Sequence, residues 1–378
     1  MANPDLTAFR RDLHKHPETG FELARTAGLI ADKLEQAGLE VRRGIGGAGI
    51  VASLRRGADE SAIGLRADMD ALPITEKNGF PHCSVHAGKF HGCGHDGHST
   101  MLVGAALELA RDDSLARTVH FIFQPDEENG TGAAAMIADG LFERFPMREI
   151  YGLHNLPGMT AGSFAVKAGP FCAFEDNFEI TITGRGGHSS MPEKGIDPIV
   201  VAGSVIMQLQ SIVSRNVSAA DRAVVSVTEI STDGARNIIP DTVVISGDCR
   251  GFERRVSRKI SERMNEIVQG ACAAHGAQGE VSYSTSFRPL VNDAECTEII
   301  ADAAAGVSEV DRDYGPVTFS EDFAEFLQHC PGAFILLGNG TEGAHGMSLH
   351  NPAYDFNDEI IRTGVDFWKT LALSRQGA

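Results

Sequence analysis

From Leu6 to Gly38 apolar residues return every three or four positions: Phe9 and Leu13, then Ala27, Ile30 and Leu34. That is the period of a helix with one buried face. Pro17 divides the stretch into two helices and Gly38 ends it. Short apolar runs at Ile50–Leu54, Ala62–Leu65, Val119–Phe123 and Glu149–Leu153 read as strands. Between them Thr100–Ala110 and Ala133–Gly140 read as helices. Strand and helix alternate, which predicts an α/β fold whose sheet is joined by crossovers.

After residue 177 the rhythm changes. Phe178–Thr183 alternates as a strand, and Asp197–Asn216 is a long helix. Ala223–Ile230 and Thr242–Gly247 are strands around a turn that contains Asn237 and Pro240. Arg254–His275 is a helix and Glu280–Ser284 a strand. The order β-α-β-β-α-β is that of a ferredoxin-like unit. The chain then resumes α/β character, with an apolar strand at Ala333–Gly338. This predicts a discontinuous first domain, residues 1–177 and 291–378, interrupted by an inserted domain at 178–290.

Composition narrows the partners. The 378 residues carry a formal net charge of −18 with no basic block, which argues against nucleic acid. No apolar run is read as reaching the ~20 residues of a membrane span, so no membrane partner is expected. Seven cysteines without framework spacing, behind a polar N-terminus, point to a reducing, cytoplasmic setting. The run Gly44-Ile-Gly46-Gly-Ala-Gly49 matches a dinucleotide fingerprint by letter. A helix precedes it and a strand follows, the reverse of what that motif needs, so it reads as a glycine-rich turn.

The chemistry concentrates in His91-Gly-Cys93-Gly-His95-Asp96-Gly-His98. Cys93 and His95 stand two apart, nearly opposite on a helix but aligned on an extended or looped backbone. A thiolate and an imidazole converging on one point suit a borderline-soft divalent metal. Asp68 and Asp70 fall just after a strand, where sites assemble in open α/β sheets. They are either solvated loop residues or carboxylates that orient a metal-bound imidazole. Glu127 and Glu128 follow the strand Val119–Phe123, and adjacent carboxylates need positive charge or open solvent nearby. A dimetal centre supplies that charge, with one carboxylate to ligate and one to hold water. With His154 at a strand end and His350 near the C-terminus, five potential ligands are available: Cys93, His95, Glu128, His154 and His350. That is enough for two metals sharing one ligand. His188 lies too far along the chain to assign from spacing.

These residues, in this order, resemble the M20 metallopeptidase family. The nearest branch is its amidohydrolases: hippurate hydrolases, N-acyl-amino-acid deacylases and auxin-amino-acid hydrolases. The matching stretches include His14-Lys-His16-Pro17-Glu18, Arg66-Ala-Asp68-Met-Asp70-Ala-Leu-Pro73, Cys93-Gly-His95-Asp96, Gln124-Pro-Asp-Glu127-Glu128, Gly152-Leu-His154, Gly187-His188-Ser-Ser, Asn237-Ile-Ile-Pro240, Ser320-Glu321-Asp322-Phe323 and Leu349-His350. The resemblance implies a zinc-peptidase-like α/β domain with an inserted lid. It implies two divalent ions per subunit, Mn²⁺ or Zn²⁺, held by Cys93, His95, Glu128, His154 and His350, with Cys93 bridging. It makes Glu127 the general base. It makes His188 and Asn237 lid residues that polarise the substrate carbonyl, across the subunit interface in dimeric relatives, and Arg250 a holder of the substrate carboxylate. It further implies a small N-acyl amino acid as substrate and a homodimer or homotetramer formed through the lid. Asp126 stands where the family usually has alanine. From the residues alone two other readings stay open: a cysteine hydrolase with Cys93 as nucleophile and His95 as base, and a non-catalytic metal-binding relative.

Overall fold

The computed structural model describes residues 4–56 and 59–374. Two helices open it, Pro4–Lys15 and Ala24–Gln36. The second buries Ile30, Ala31 and Leu34. At its start the Glu18 carboxylate accepts from the backbone N–H groups of Arg25 and Thr26, at 3.1 and 2.7 Å. Two of the donors that helix geometry leaves orphaned are thereby satisfied.

An eight-stranded sheet follows, in the order Glu40–Ile45, Gly49–Leu54, Arg117–Gln124, Asp59–Asp68, Glu149–Pro157, Gly332–Gly340, Phe164–Ala165, Val310–Asp311. The four strands from Arg117–Gln124 to Gly332–Gly340 run parallel. Ile63, Leu65, Phe121, Phe123, Leu153 and Ile335 face a core shared with the helices His95–Leu109, Ala294–Ala305 and Ile361–Leu373. The intervening Ile122, Ile150 and Phe334 are equally buried. Burial on both faces is why the sequence shows continuous apolar runs here and not alternation. The helix His95–Leu109 is sunk in this core, and its glycines let neighbours close in: a Cβ at Gly97 would strike the Phe356 ring.

The Gly44–Gly49 run is the turn of a hairpin in which Glu40–Ile45 pairs antiparallel with Gly49–Leu54. The first of these strands escapes a sequence reading because only Ile45 in it is buried, so no alternation marks it.

The chain divides into two units: Met1–Gly169 with Val291–Gly315 and Asp322–Ala378, and Pro170–Leu290 with Pro316–Glu321. The second unit holds an antiparallel sheet in the order Ala223–Thr232, Thr242–Gly251, Phe174–Thr183, Gln278–Phe287. Helices Pro198–Ser211 and Arg254–His275 pack on it through Val201, Val205, Leu209, Val256, Ile260 and Met264. That strand order and connectivity are ferredoxin-like. Its bounds differ from the 178–290 read from sequence. The strand begins at Phe174, with Phe174, Asp176 and Phe178 alternately buried. The chain also returns at 316–321, where Val317 N–H donates to Phe171 and Ala173 N–H donates to the carbonyls of Val317 and Phe319. The helical stretch Pro198–Asn216 has the length and hydropathy of a membrane span, against the expectation that no run reaches one. Its Val201, Val205, Leu209 and Ile212 nonetheless lie in this unit's core.

Candidate metal centre

The parallel strands deliver the site at their carboxyl ends, where an open sheet leaves a crevice. Asp68 ends its strand opposite Gln124, the last residue of the strand that leads into the Glu127-Glu128 turn. His154 lies on the next strand. Between Cys93 and His95, Gly94 has φ +95 and starts the helix His95–Leu109. A Cβ there would collide with the Asn155 side chain and the Tyr354 hydroxyl. This left-handed step brings thiol and imidazole to the same place.

Cys93 Sγ lies 3.3 Å from His154 Nε2. Together with a ring nitrogen of His95 these donor atoms fall within 4.8 Å of one another, and all three residues are buried. Cys93 also joins Glu128 and His350 in a second triad of the same span. There His350 Nε2 is 3.3 Å from Glu128 Oε2, and the His350 side chain is 51% exposed. His350 has φ +64, and its N–H donates to the Gly92 carbonyl at 2.8 Å, which pins it beside the Cys93 loop. The structure thus brings together all five residues named as ligands from the sequence, with Cys93 in both triads.

Both ring nitrogens of His95, and Oε1 of Glu128, are buried without a hydrogen-bond partner among the described residues. Asp68 Oδ2, Glu127 Oε2 and Glu128 Oε1 each stand 3.9 Å from His95 Nε2. Burial alone would depress the His95 imidazole, but Asp68, then Asp70 and Glu128, push it up to about 10. Burial, against the pull of His95 and helped by Asp70, pushes Glu128 up to about 7. Burial and then Glu128, Glu127 and Asp68 hold the Cys93 thiol well above its usual range. Burial and then His98 hold His154 well below its own. The cluster is short of positive charge, and a divalent cation remedies that by displacing protons from its ligands. The donor set therefore fits a metal. It does not fit the cysteine-hydrolase reading: the imidazole against the sulfur is His154, not His95, and surrounding carboxylates oppose a thiolate.

Asp70 faces His95 Nδ1 at 3.4 Å and accepts the N–H groups of Glu127 and Glu128 at 3.2 Å each. Asp68 accepts from Arg66 Nη1 and from His98 Nδ1, both at 2.7 Å. Neither aspartate is a solvated loop residue; both are buried. Asp126, at φ +52, accepts from Asn129 Nδ2 at 2.5 Å and from the Thr131 hydroxyl, closing the turn that carries Glu127 and Glu128. The sequence reading gave no role to His98, Asn155 or Tyr354, which also enter this network. For His98 a signal existed: it follows His95 by three on a helix, and so shares its face. For Asn155 and Tyr354 there was none.

In the second unit His188 and Asn237 come side by side. The strands Gly187–His188 and Ile238–Ile239 pair with His188 opposite Ile238, and Ser189 N–H donates to the Asn237 carbonyl at 3.2 Å. His188 is exposed, and its Nδ1 accepts the Ser190 backbone N–H at 3.2 Å. A backbone N–H can only donate, so the ring proton sits on Nε2. Arg250 is already engaged: Glu175 and Asp248 lie at 2.7 Å, and it donates to the Ser320 hydroxyl at 2.8 Å.

Residues 64–374 match Peptidase family M20/M25/M40. The chain is 38% identical to N-acetyl-L-cysteine deacetylase of Bacillus subtilis, over 94% of this chain and 84% of that protein. It is 37% identical to hippurate hydrolase of Campylobacter jejuni, over 98% of this chain and 96% of that one. Among solved structures, a dinuclear metal binding peptidase of the M20 family from Bacillus subtilis aligns with a TM-score of 0.86 at 32% identity, covering 98% and 96% of the two chains.

Proposed function

This chain belongs to peptidase family M20/M25/M40, and from that premise we propose that it hydrolyses the amide bond of small N-acyl amino acids, releasing a carboxylic acid and a free amino acid. The observation that carries the reading is the pair of triads sharing Cys93, with Glu127 beside them. Two similar proteins are named for N-acetyl-L-cysteine and for hippurate, which directs attention to acetyl and benzoyl groups. Indole-acetyl conjugates are the third class to try.

Cys93, His95 and His154 would hold one divalent ion, and Cys93, Glu128 and His350 the other. Thiolate and imidazole donors suit Zn²⁺, and the carboxylate share admits Mn²⁺. Bound there, the ions supply Lewis acidity and lower the pKa of water toward ~7. Glu127 belongs to neither of these triads. It takes the proton of the attacking water and returns it to the leaving amine nitrogen. Asp70 orients His95 and fixes the main chain under Glu127 and Glu128. His188, beside Asn237, offers Nε2–H to the carbonyl oxygen as negative charge develops there. Arg250 already holds Glu175 and Asp248, and a substrate carboxylate would compete with them for its guanidinium. A homodimer or homotetramer through the inserted unit is supported by apolar side chains its helix leaves exposed, Val200 at 58% and Met207 at 74%. Seven free cysteines suit a reducing cytoplasm.

The test offers N-acetyl, N-benzoyl and indole-acetyl amino acids to enzyme reconstituted with Zn²⁺ or Mn²⁺ and measures amino-acid release. Chelator-sensitive release from at least one class is expected. A metal-loaded enzyme inert to all three would sink the substrate reading.

A further inference from the structure

Asn155 follows His154 on the strand Glu149–Pro157 and is fully buried. Every polar group it has is engaged. Its main-chain carbonyl accepts His154 Nδ1–H at 2.6 Å. Its side-chain nitrogen donates to the Cys93 carbonyl at 2.6 Å and to His98 Nε2 at 3.0 Å. Its backbone N–H donates to the same His98 nitrogen at 2.9 Å. Its Oδ1 accepts the Tyr354 hydroxyl at 2.8 Å.

Each bond decides something about a neighbour. With its proton committed to Nδ1, His154 turns the lone pair of Nε2 toward Cys93 Sγ, 3.3 Å away. His98 receives two N–H donors on Nε2, so that nitrogen is an acceptor and Nδ1 carries the proton given to Asp68 at 2.7 Å. This matters because the three buried imidazoles crowd together. Ring centroids are 4.4 Å apart for His98 and His154, and 5.5 Å for His95 and His98. By reach alone Asp68, His95 and His98 could also hold an ion. With both His98 nitrogens occupied, that alternative is closed.

We propose that Asn155 is a positioning residue whose side chain selects the metal's ligands, holding the Cys93 loop by its carbonyl and reinforcing the backbone N–H that withholds His98. The inference rests on the dimetal reading above. Asn155→Asp keeps the shape and the acceptor for Tyr354 but removes the amide donor. Asn155→Leu removes both functions. The full-length, metal-free chain would be titrated with Zn²⁺ against a chromophoric chelator, with circular dichroism and melting curves reporting the fold. Both variants should fold and bind Zn²⁺ about 10–100-fold more weakly, the usual cost of losing a partner that orients a ligand. With Co²⁺ in place of zinc, the thiolate-to-metal absorption should weaken in parallel. An Asp variant with unchanged Zn²⁺ affinity and an unchanged cobalt spectrum would overturn the proposal. Should neither Asn155 variant fold, Tyr354→Phe loosens Asn155 through Oδ1 alone. A Zn²⁺ affinity lowered at least about threefold is then expected, and an unaltered one overturns it. No substrate enters these measurements. A failure to hydrolyse N-acyl amino acids would therefore touch only the substrate reading, whereas a wild-type chain that binds no Zn²⁺ would overturn both.

Discussion

The two triads that meet at Cys93 are made of unlike material. On one side His95 and His154 are 0% and 4% exposed, the first opening a buried helix, the second held by a main-chain carbonyl. On the other, His350 is a half-exposed ring on a left-handed backbone, and its partner Glu128 is a partly buried carboxylate that burial pushes up to about 7. One sulfur therefore faces a dry, prearranged pocket and an open one. A closed set of donors favours a tightly held ion, while an open one leaves room for water and substrate. The dry position should fill first and empty last.

The sharpest way to break this comparison is to remove what the triads share. Cys93→Ser should lose both ions and more than ~10³-fold of the activity, because a neutral hydroxyl replaces a thiolate in each site. Metal analysis that finds two ions retained in an inactive protein would return Cys93 to the nucleophile reading.

Glu127→Gln separates holding a metal from handling a proton. Turnover should fall ~10²–10⁴-fold with metal content unchanged. A loss below about tenfold would remove Glu127 from the role of base.

The asymmetry itself is read from His154→Ala and His350→Ala. The first should release the tightly bound ion and cost the metal-free protein on the order of 1–3 kcal/mol, as buried truncations do. The second should leave one ion bound and shift metal-free stability by no more than about 0.5 kcal/mol. Stepwise dialysis against a chelator should strip the wild type in two stages. Equal metal loss from both variants, or a single stage, would show the pockets to be equivalent.

The smallest effect concerns pH and the dry side alone. His14 sits between Asp96 Oδ2 at 2.8 Å and Glu76 Oε1 at 3.3 Å. Burial opposes its charge, yet Asp96 and Glu76 raise it from 6.5 to about 9. A folded-state value above the unfolded one stabilises the protein fully below pH 6.5, and that stability disappears as pH climbs through about 9. Melting temperature should therefore decline across that window in the metal-free wild type and less so in His14→Gln. Parallel curves would assign the decline to other groups.

Much of this was legible because the chemistry and the punctuation coincide. Glycines on both sides of Cys93 announced a tight backbone path, and carboxylates after apolar runs announced strand ends. What stayed hidden is what depends on partners far away in sequence. Asn155 looks like any polar residue near a strand end until Cys93, His98 and Tyr354 converge on it. The strand Glu40–Ile45 buries only Ile45 and shows no alternation, and it owes its existence to its hairpin partner. Arg250 could be matched to a motif by letter, but Glu175, Asp248 and Ser320 around it could not be inferred.

Pro316–Glu321 goes with the inserted unit although the chain on either side of it goes with the first. Genetic dissection meets this at once. Excising residues 170–290 and rejoining the ends would leave Val317 and Phe319 without their backbone partners at Phe171 and Ala173. A minimal metal-bearing half cannot be cut out in one piece. Exchange of this unit between homologous genes is bound by the same arithmetic. Two separate stretches must travel together, and a chimaera that swaps only the long one inherits a foreign segment at 316–321.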